Sequence, residues 1–432
     1  MTRPSTKSRN GDKAPVVTGG GSDRARLMDE FEHQLLRGEN GKIRPVIENF
    51  ALCFSHHPDW RGGLAYDEFR YDIVVTDRAP EGIPRVALDD SAVIDIRRWC
   101  ERNFLAGNDE KIRAGIDAAA RQNCFHPVRD YLHSVKRDRK ARIPTFFQQY
   151  FGTKADNSIA RTMLAEVARM WLVSAVARIF QPGCQVDHLL VLEGTQGIYK
   201  SAAFRSLFSS EWFTDQVPSL DSKDASLQLR GKWCIEFGEF DRLSRHESST
   251  VKAYITRQVD TYRKPWGKIT SDVPRQSVFC ATVNPAQYLV DEQNRRYWPV
   301  RCEWVDVQAM KCDRDLIWAE ACELYSQGVH WWPEDEALKR MLTSEQQKRE
   351  VENPFKNRIS AWLDREEIQR DVLCDPYSLT TARILEHALQ VPAAQWKSAE
   401  QHVSTAMRAL GYVKDQFGKR RLNYWRAPEN EE

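Results

Sequence analysis

The apolar positions along the chain form two kinds of pattern, which predict two kinds of element. Residues 158–180 carry apolar side chains at helical spacing and are followed by a Pro-Gly pair, which predicts one long helix. Shorter apolar runs at residues 189–192, within 230–239 and within 276–285 are typical of buried parallel strands. Such strands next to helices predict an α/β core.

The same pattern divides the chain into four regions. Residues 1–23 are rich in Ser, Gly, Lys and Arg and are predicted to be a disordered basic tail, either passive or in contact with nucleic acid. Residues 24–152 are predicted to form a mostly helical N-terminal domain. Residues 153–345 contain the apolar strand runs, and residues 346–432 combine helical periodicity with a basic hairpin pattern.

Composition narrows the class of protein. The chain has 432 residues, 41% hydrophobic content and a net charge of +2, so nucleic acid would have to bind at local patches. Its 10 cysteines include no C-x-x-C pair, which favours reduced thiols over a disulfide framework or a zinc site. No apolar run is long enough for a membrane span, and we expect a cytoplasmic protein without a membrane partner.

A phosphate-binding loop is the strongest candidate for chemistry. The sequence after the first apolar strand places Lys200 to reach the β- and γ-phosphates of ATP and Ser201 to ligate Mg²⁺. Tyr199 stands where the G-x-x-x-x-G-K-[ST] pattern has its second glycine, and an ordinary turn with a solvated lysine is the alternative. The predicted nucleotide-binding residues are Gly194, Thr195, Gln196, Gly197, Ile198, Tyr199, Lys200 and Ser201.

Polar residues end the two later strand runs. Glu236 and Glu239 follow the second run, where one acid would hold Mg²⁺ and the other would orient the attacking water. Asn284 ends the third run and would contact the γ-phosphate or that water. The alternatives are ordinary acidic strand ends and an Asn-Pro turn.

Basic residues mark two further candidate sites and one basic run. Lys264 and Lys268 lie in a basic, aromatic turn suited to single-stranded DNA, or to an exposed hairpin without a ligand. Arg295 and Arg296 precede an apolar strand, where they would stabilise charge across a subunit boundary or form a surface ion pair. The run at 136–142 is predicted to be a solvated basic loop.

The last region suggests a winged helix-turn-helix. Ser398 opens an S-x-x-Q pattern that predicts the start of a helix, and a hairpin follows within residues 411–426. Such a domain would bind duplex DNA or another protein. The hairpin residues predicted to contact DNA are Lys414, Lys419, Arg420 and Arg421.

Several short segments, taken in their order along the chain, resemble the virulence-associated protein E family. This family comprises phage- and island-encoded ATPases related to superfamily 3 helicases. The resemblance extends from about residue 49 to residue 304. The segments that carry it are FHPVRDYL (125–132), LEGTQG (192–197), GKWCIEFGE (231–239), YRKPWG (262–267), PRQ (274–276), TVN (282–284) and NRRYWPV (294–300).

The resemblance implies a RecA/AAA-like ATP-driven ring, often hexameric, that acts on DNA at a replication origin in the bacterial cytoplasm. It implies that Asn284 is a sensor, that Arg295 or Arg296 is an arginine finger, and that Lys264 or Lys268 lies on a pore hairpin. Longer relatives carry a primase domain with no evident counterpart in this sequence, so a separate primase is an expected partner.

Three functions remain open from the sequence. The first is an ATP-dependent DNA helicase or origin-melting ATPase of a phage or mobile element. The second, motivated by Tyr199, is a nucleotide-binding scaffold that does not hydrolyse ATP and recruits replication proteins. The third is a regulator that acts mainly through its DNA-binding C-terminal domain.

Overall fold

The computed structural model describes residues 20–220, 222, 225–240, 245–263, 270–284, 288–289, 294–350, 353, 355–417 and 422–427. The helices are α1 (Gly20–Gln34), α2 (Ile47–His56), α3 (Asp90–Asn103), α4 (Asp109–Ala120), α5 (Pro127–Ser134), α6 (Phe146–Phe151), α7 (Ser158–Phe180), α8 (Lys200–Phe208), α9 (Ala225–Gln228), α10 (Arg245–Ile255), α11 (Val307–Ser326), α12 (Glu336–Gln347), α13 (Lys356–Leu363), α14 (Glu366–Cys374), α15 (Thr381–Arg383) and α16 (Trp396–Ala409). The strands are β1 (Leu64–Asp67), β2 (Asp72–Val75), β3 (Cys124–Phe125), β4 (Leu189–Glu193), β5 (Phe213–Thr214), β6 (Cys234–Phe237), β7 (Val259–Arg263), β8 (Thr270–Pro274), β9 (Val278–Val283), β10 (Tyr297–Arg301), β11 (Val413–Phe417) and β12 (Leu422–Arg426).

The chain forms two compact units, a mixed α/β unit and a smaller C-terminal unit. The first comprises residues 1–286 and 295–344, and the second comprises residues 287–294 and 345–432. No helix among the described residues is long and apolar enough to cross a membrane. All 10 cysteines are free thiols.

A five-stranded parallel sheet lies at the centre of the first unit, in the order β10-β4-β9-β6-β5. Every residue of β4 and β6 is buried, because helices cover both faces of the sheet. Helices α7, α8 and α11 pack on one face, and α10 packs on the other through Tyr254 against Phe279. The three apolar runs predicted as strands are confirmed as β4, β6 and β9, whereas the two-residue edge strand β5 had no comparable signal.

Helix α7 spans the residues that its periodicity predicts. Asn157 caps it by accepting a hydrogen bond from the Ala160 N–H at 2.8 Å. The indole N–H of Trp171 on this helix donates to the Phe279 carbonyl at 3.2 Å, which fixes the helix to the sheet. The helix is hydrophobic on nearly all sides, as is typical of a helix enclosed by the core.

The N-terminal part contains more than helices. Strands β2, β1 and β3 form a three-stranded sheet beside α2 and α4. The prediction of a solvated loop at 136–142 is wrong at its last residue, because Arg142 is only 5% exposed. Arg142 pairs with Asp138 and Asp313, and its backbone N–H donates to Glu320 at 2.6 Å. The predicted domain boundary at 152 stays a prediction.

The C-terminal unit has its own core, formed by residues of α13 and α16, by Ile384 and Leu385 between them, and by Trp425 of the antiparallel hairpin β11–β12. The fully buried Trp425 anchors the hairpin, since its indole donates to Thr381 and its N–H donates to the Leu379 carbonyl. Ser398 does not cap a helix. Helix α16 begins at Trp396, and the Ser398 hydroxyl donates to the Gln395 carbonyl at 2.8 Å.

Candidate functional site

The predicted phosphate loop lies at the carboxyl edge of the parallel sheet. It joins the end of β4 to the start of α8, and Asn284 follows the end of the neighbouring strand β9. The connection after β4 leads towards β5 on one side, whereas the connection after β9 crosses to β10 on the other. Ligands of open α/β sheets bind where connections diverge in this way.

Two glycines give the loop its conformation. A Cβ atom on Gly194 would lie 2.7 Å from the Cys302 carbonyl oxygen and 2.8 Å from Ile198 Cδ1, so only glycine fits there. Gly197 has a φ of +87° with open space around it. Thr195 and Gln196, which lie between them, are exposed.

Tyr199 adopts the backbone conformation for which glycine is usual. Its φ is 68° and its ψ is 30°, in the left-handed region, and it stands directly before α8. Tyr199 is 70% exposed. Tyr199 therefore has the backbone conformation that glycine would have here, and the strain costs about 1 kcal/mol of folding free energy.

Lys200 points back into the loop. Its Nζ donates to the Gly194 carbonyl at 2.7 Å, to the Thr195 carbonyl at 2.9 Å and to Asn284 Oδ1 at 3.4 Å. The side chain is 7% exposed although it carries a charge. The structure thus brings together a cation, the loop backbone and the strand-end amide.

A second group of polar atoms lies beside this lysine. The Ser201 hydroxyl donates to Glu236 Oε1 at 2.6 Å, and the Thr282 hydroxyl donates to the same oxygen at 2.7 Å. The other oxygen, Glu236 Oε2, is buried and has no hydrogen-bond partner. Burial raises the pKa of Glu236, and the two hydroxyl hydrogen bonds lower it by less.

This arrangement fits a divalent cation. A buried carboxylate with one oxygen unpartnered and a hydroxyl beside it are hard oxygen donors, and Mg²⁺ typically takes one or two such ligands plus water and phosphate. No group of three His, Cys, Asp or Glu residues in the described part of the chain forms a closed metal site. Any metal held by Ser201 and Glu236 would therefore need further ligands from a nucleotide or water.

The remaining predicted residues have different positions. Glu239 is exposed, with a φ of 51°, and lies two residues beyond β6 at the same sheet edge. Arg295 and Arg296 precede β10, where Tyr297 is level with Leu189 at the start of β4. They lie at the opposite edge of the sheet, roughly 15 Å from the loop of the same chain.

The predicted DNA-binding residues belong to two segments of the sequence that contain paired strands. Strands β7 and β8 pair antiparallel up to Arg263 and Thr270, and Lys264 and Lys268 fall outside the described residues between them. Lys414 lies on β11, with its Nζ 5.9 Å from the Trp425 ring centroid. Lys419, Arg420 and Arg421 also fall outside the described residues.

Two residues at this edge of the sheet, Thr282 and Arg301, have no role predicted from the sequence. Thr282 shares Glu236 Oε1 with Ser201, and its only signal was a polar residue two positions before Asn284 in an apolar run. Arg301 ends β10 level with Glu193, at the loop edge, and is exposed. Neither position could be assigned before the strand order was known.

A family model places the chain. The model, described as the virulence-associated protein E-like domain, matches residues 132–351, which is more than half of the chain. This protein belongs to the virulence-associated protein E-like family. The match covers the whole of the sheet and loop described above, and the resemblance drawn from the sequence is confirmed.

Comparison with solved structures gives distant likenesses. The apo C-terminal region of NrS-1 has 13% identity and a TM-score of 0.41, over 79% of this chain and 83% of that one. A second apo structure of that region, its A form, has 14% identity and a TM-score of 0.40, over 80% and 84%. The comparison with curated proteins found no match.

Proposed function

We propose that this family member is an ATP-dependent DNA helicase or origin-melting ATPase that acts in the replication of a phage or mobile element. Its core would be a RecA/AAA-like phosphate-loop ATPase. The observation that carries this proposal is the cluster at the carboxyl sheet edge, where Lys200, Ser201, Glu236 and Asn284 meet from three strand ends.

Lys200 is the residue on which ATP binding depends in this proposal. Its ammonium group donates to neutral oxygens of the loop and of Asn284. Terminal phosphates offer charged acceptors, whose hydrogen bonds with an ammonium group are roughly twice as strong as neutral ones. Entry of ATP would therefore draw the ammonium group from the loop carbonyls to the β- and γ-phosphates.

Ser201 and Glu236 would hold Mg²⁺, which neutralises charge on the β- and γ-phosphate oxygens when bound. Thr282 would keep the Glu236 carboxylate oriented through its 2.7 Å hydrogen bond. Glu239 and Asn284, exposed at the same edge, would orient the attacking water and sense the γ-phosphate.

DNA is the proposed partner. In this proposal a homo-hexameric ring passes single-stranded DNA over the β7–β8 hairpins, where Lys264 or Lys268 would contact the strand. The C-terminal unit would act as a winged helix-turn-helix on duplex origin DNA, and a separate primase would complete the replication machinery. Because the substrate is DNA of an element inside its host, the compartment would be the bacterial cytoplasm.

The test is ATP turnover with and without single-stranded DNA. We expect wild-type hydrolysis to be stimulated by DNA and Lys200→Ala to abolish it while the fold is retained, measured by steady-state phosphate release and circular dichroism. Lys311→Ala, at an exposed lysine on α11, is the matched control and should leave turnover unchanged. Binding of ATP by wild type without any turnover would favour the non-hydrolysing scaffold instead.

A further inference from the structure

The amino edge of the parallel sheet, opposite the phosphate loop, carries a small cavity of about 30 Å³. Lys232 and Ser277, which precede β6 and β9, line its base, and Tyr262 of β7 and Val273 of β8 form one wall. Tyr71, from the turn between β1 and β2, lines the other side. The cavity therefore lies where the base of the β7–β8 hairpin meets the N-terminal sheet.

Two donors in this cavity have no acceptor. Tyr262 is 5% exposed, and its hydroxyl has no hydrogen-bond partner. Arg230 donates through Nη2 to Asp72 at 2.7 Å, whereas its Nη1 is buried without a partner. Buried donors are almost always satisfied by protein, water or a ligand, so two of them lining one cavity indicate a bound acceptor.

The acidic side chains around the cavity are already paired. Asp260 binds Arg275 and accepts from Ser226 at 3.0 Å, and Asp72 is held by Arg230. Neither of these carboxylates accepts a hydrogen bond from the Tyr262 hydroxyl. The missing acceptor must therefore come from outside the protein.

Two further cations add positive charge near the cavity, Lys232 in its lining and Arg70 beside Lys232. Lys232 donates to the Glu211 backbone carbonyl at 2.7 Å, and Arg70 packs against Gly231, its Cγ 2.8 Å from where a Cβ would be. Burial and the neighbouring Arg70 lower the pKa of Lys232. An anion in the cavity would reduce this repulsion.

We infer that this cavity binds a phosphoryl oxyanion, which accepts hydrogen bonds from the Tyr262 hydroxyl and from Arg230 Nη1. The two inner donors, with the positive charge of Arg70 and Lys232 nearby, favour an anion with several acceptor oxygens, which a free phosphate and a phosphodiester both provide. The phosphate is either a free anion or a backbone phosphate of DNA that follows the hairpin.

Occupancy would fix the hairpin at its base. Tyr262 belongs to β7, and Arg230 is tied through Asp72 to β2 of the N-terminal sheet. An oxyanion held by both would join these two elements through one small group. The site is separate from the proposed ATP site, because it lies at the other edge of the sheet.

The experiment uses inorganic phosphate and the full-length chain with Lys200→Ala, so that the phosphate loop does not contribute. Isothermal titration with phosphate, against chloride at equal ionic strength, should show one saturable site. Adding Tyr262→Phe should weaken phosphate binding about 10-fold or more, because one of the two inner donors is lost. Without phosphate, this variant should be at least as stable as its parent, since it removes an unsatisfied buried hydroxyl.

Tyr71→Phe is the control within the same cavity. The Tyr71 hydroxyl donates to the Pro274 carbonyl and accepts from Gln276, so it is already in use. Its removal should lower thermal stability and change the phosphate affinity by less than about twofold. Absence of phosphate binding to the parent, or equal affinity in the Tyr262→Phe protein, would overturn the inference and leave water as the acceptor.

Competition identifies the source of the phosphate. A short single-stranded oligonucleotide should displace inorganic phosphate if the site takes a DNA backbone phosphate, and its methylphosphonate analogue should not. Phosphate binding without displacement assigns the site to the free anion. In the background with Lys200 intact, Tyr262→Phe should hydrolyse ATP at the wild-type basal rate, so that failure at this cavity and failure of the ATPase proposal remain distinguishable.

Discussion

Tyr199 keeps the backbone conformation that glycine has in such loops but adds an aromatic side chain. Its left-handed backbone strains a side chain that glycine would not have, yet glycine also gives the unfolded chain more conformational freedom. These two effects are each about 1 kcal/mol and oppose one another, so stability is a poor measure of what the tyrosine does. Activity is the better measure.

We predict that Tyr199→Gly preserves or raises ATP turnover and changes the free energy of unfolding by less than about 1 kcal/mol. The reason is that glycine adopts the same backbone angles without strain. Tyr199→Ala is the matched control, since it removes the ring but keeps the strained position. A large loss of turnover in both variants would show that the ring itself has a role.

Glu236 gives a prediction with a defined pH dependence. Because burial raises its folded pKa, the wild-type protein without nucleotide or Mg²⁺ loses stability as the pH rises from the unfolded pKa through the folded one. Glu236→Gln should therefore have a higher melting temperature than wild type at neutral pH, with a difference that shrinks as the pH falls through that interval. ATP turnover should fall at least about 10- to 100-fold.

The control for this carboxylate is Glu239→Gln, because Glu239 is exposed at the same edge. Thermal unfolding of both variants across a pH series is the measurement. A pH-independent difference between wild type and Glu236→Gln would contradict a buried carboxylate with a raised pKa.

At the level of elements, the sequence pattern predicted those helices and strands that depend mainly on nearby residues. Helix α7 followed from the helical periodicity of residues 158–180 and the Pro-Gly pair after them, and strand β4 followed from the apolar run at 189–192. The start of α16 was misassigned, because Ser398 binds the Gln395 carbonyl within a helix that had already begun. The S-x-x-Q pattern cannot distinguish these two positions.

Long-range pairing accounts for what the sequence did not reveal. Arg142 is buried by partners such as Asp313 and Glu320, which lie far along the chain on α11. Thr282 joins the site only because β9 lies between β4 and β6. A sequence shows each of these residues but not the strand order that brings them together.

The hairpin β11–β12 carries its own prediction. If it contacts DNA, each lost phosphate contact lowers the slope of log affinity against log salt by roughly 0.7 to 0.9. Replacing Lys419, Arg420 and Arg421 with Ala should therefore weaken DNA binding and flatten its salt dependence, measured by fluorescence anisotropy. Trp425 is retained as the anchor of the hairpin, so the fold should persist. An unchanged slope would favour a protein-binding domain.

The arginines before β10 test the assembly of the whole molecule. Arg295 and Arg296 lie at the sheet edge opposite the loop of their own chain, beyond the reach of a side chain. Any direct contact with phosphate must therefore come from a neighbouring subunit. An arginine finger of this kind contributes on the order of 10³-fold or more in rate.

We predict that Arg295→Ala with Arg296→Ala removes ATP hydrolysis and leaves ATP binding nearly intact. Mixing this variant with the Lys200→Ala protein should restore some turnover, because a mixed interface combines an intact loop with an intact finger. Arg301→Ala, at the other end of β10, tests whether an arginine on the same subunit contributes instead. Full activity of the double variant would rule out the trans-acting role.

The position of β4 in the sheet also sets when the loop can form during synthesis. Leu189 pairs with Phe279 on one side and Tyr297 on the other, so its strand has no partner until about 90 more residues have been made. At ribosomal rates this is a delay of roughly 5 to 20 s, during which an apolar strand waits unpaired. Fragments that stop before Val278 contain the complete loop sequence and yet lack both strands that flank β4 in the sheet.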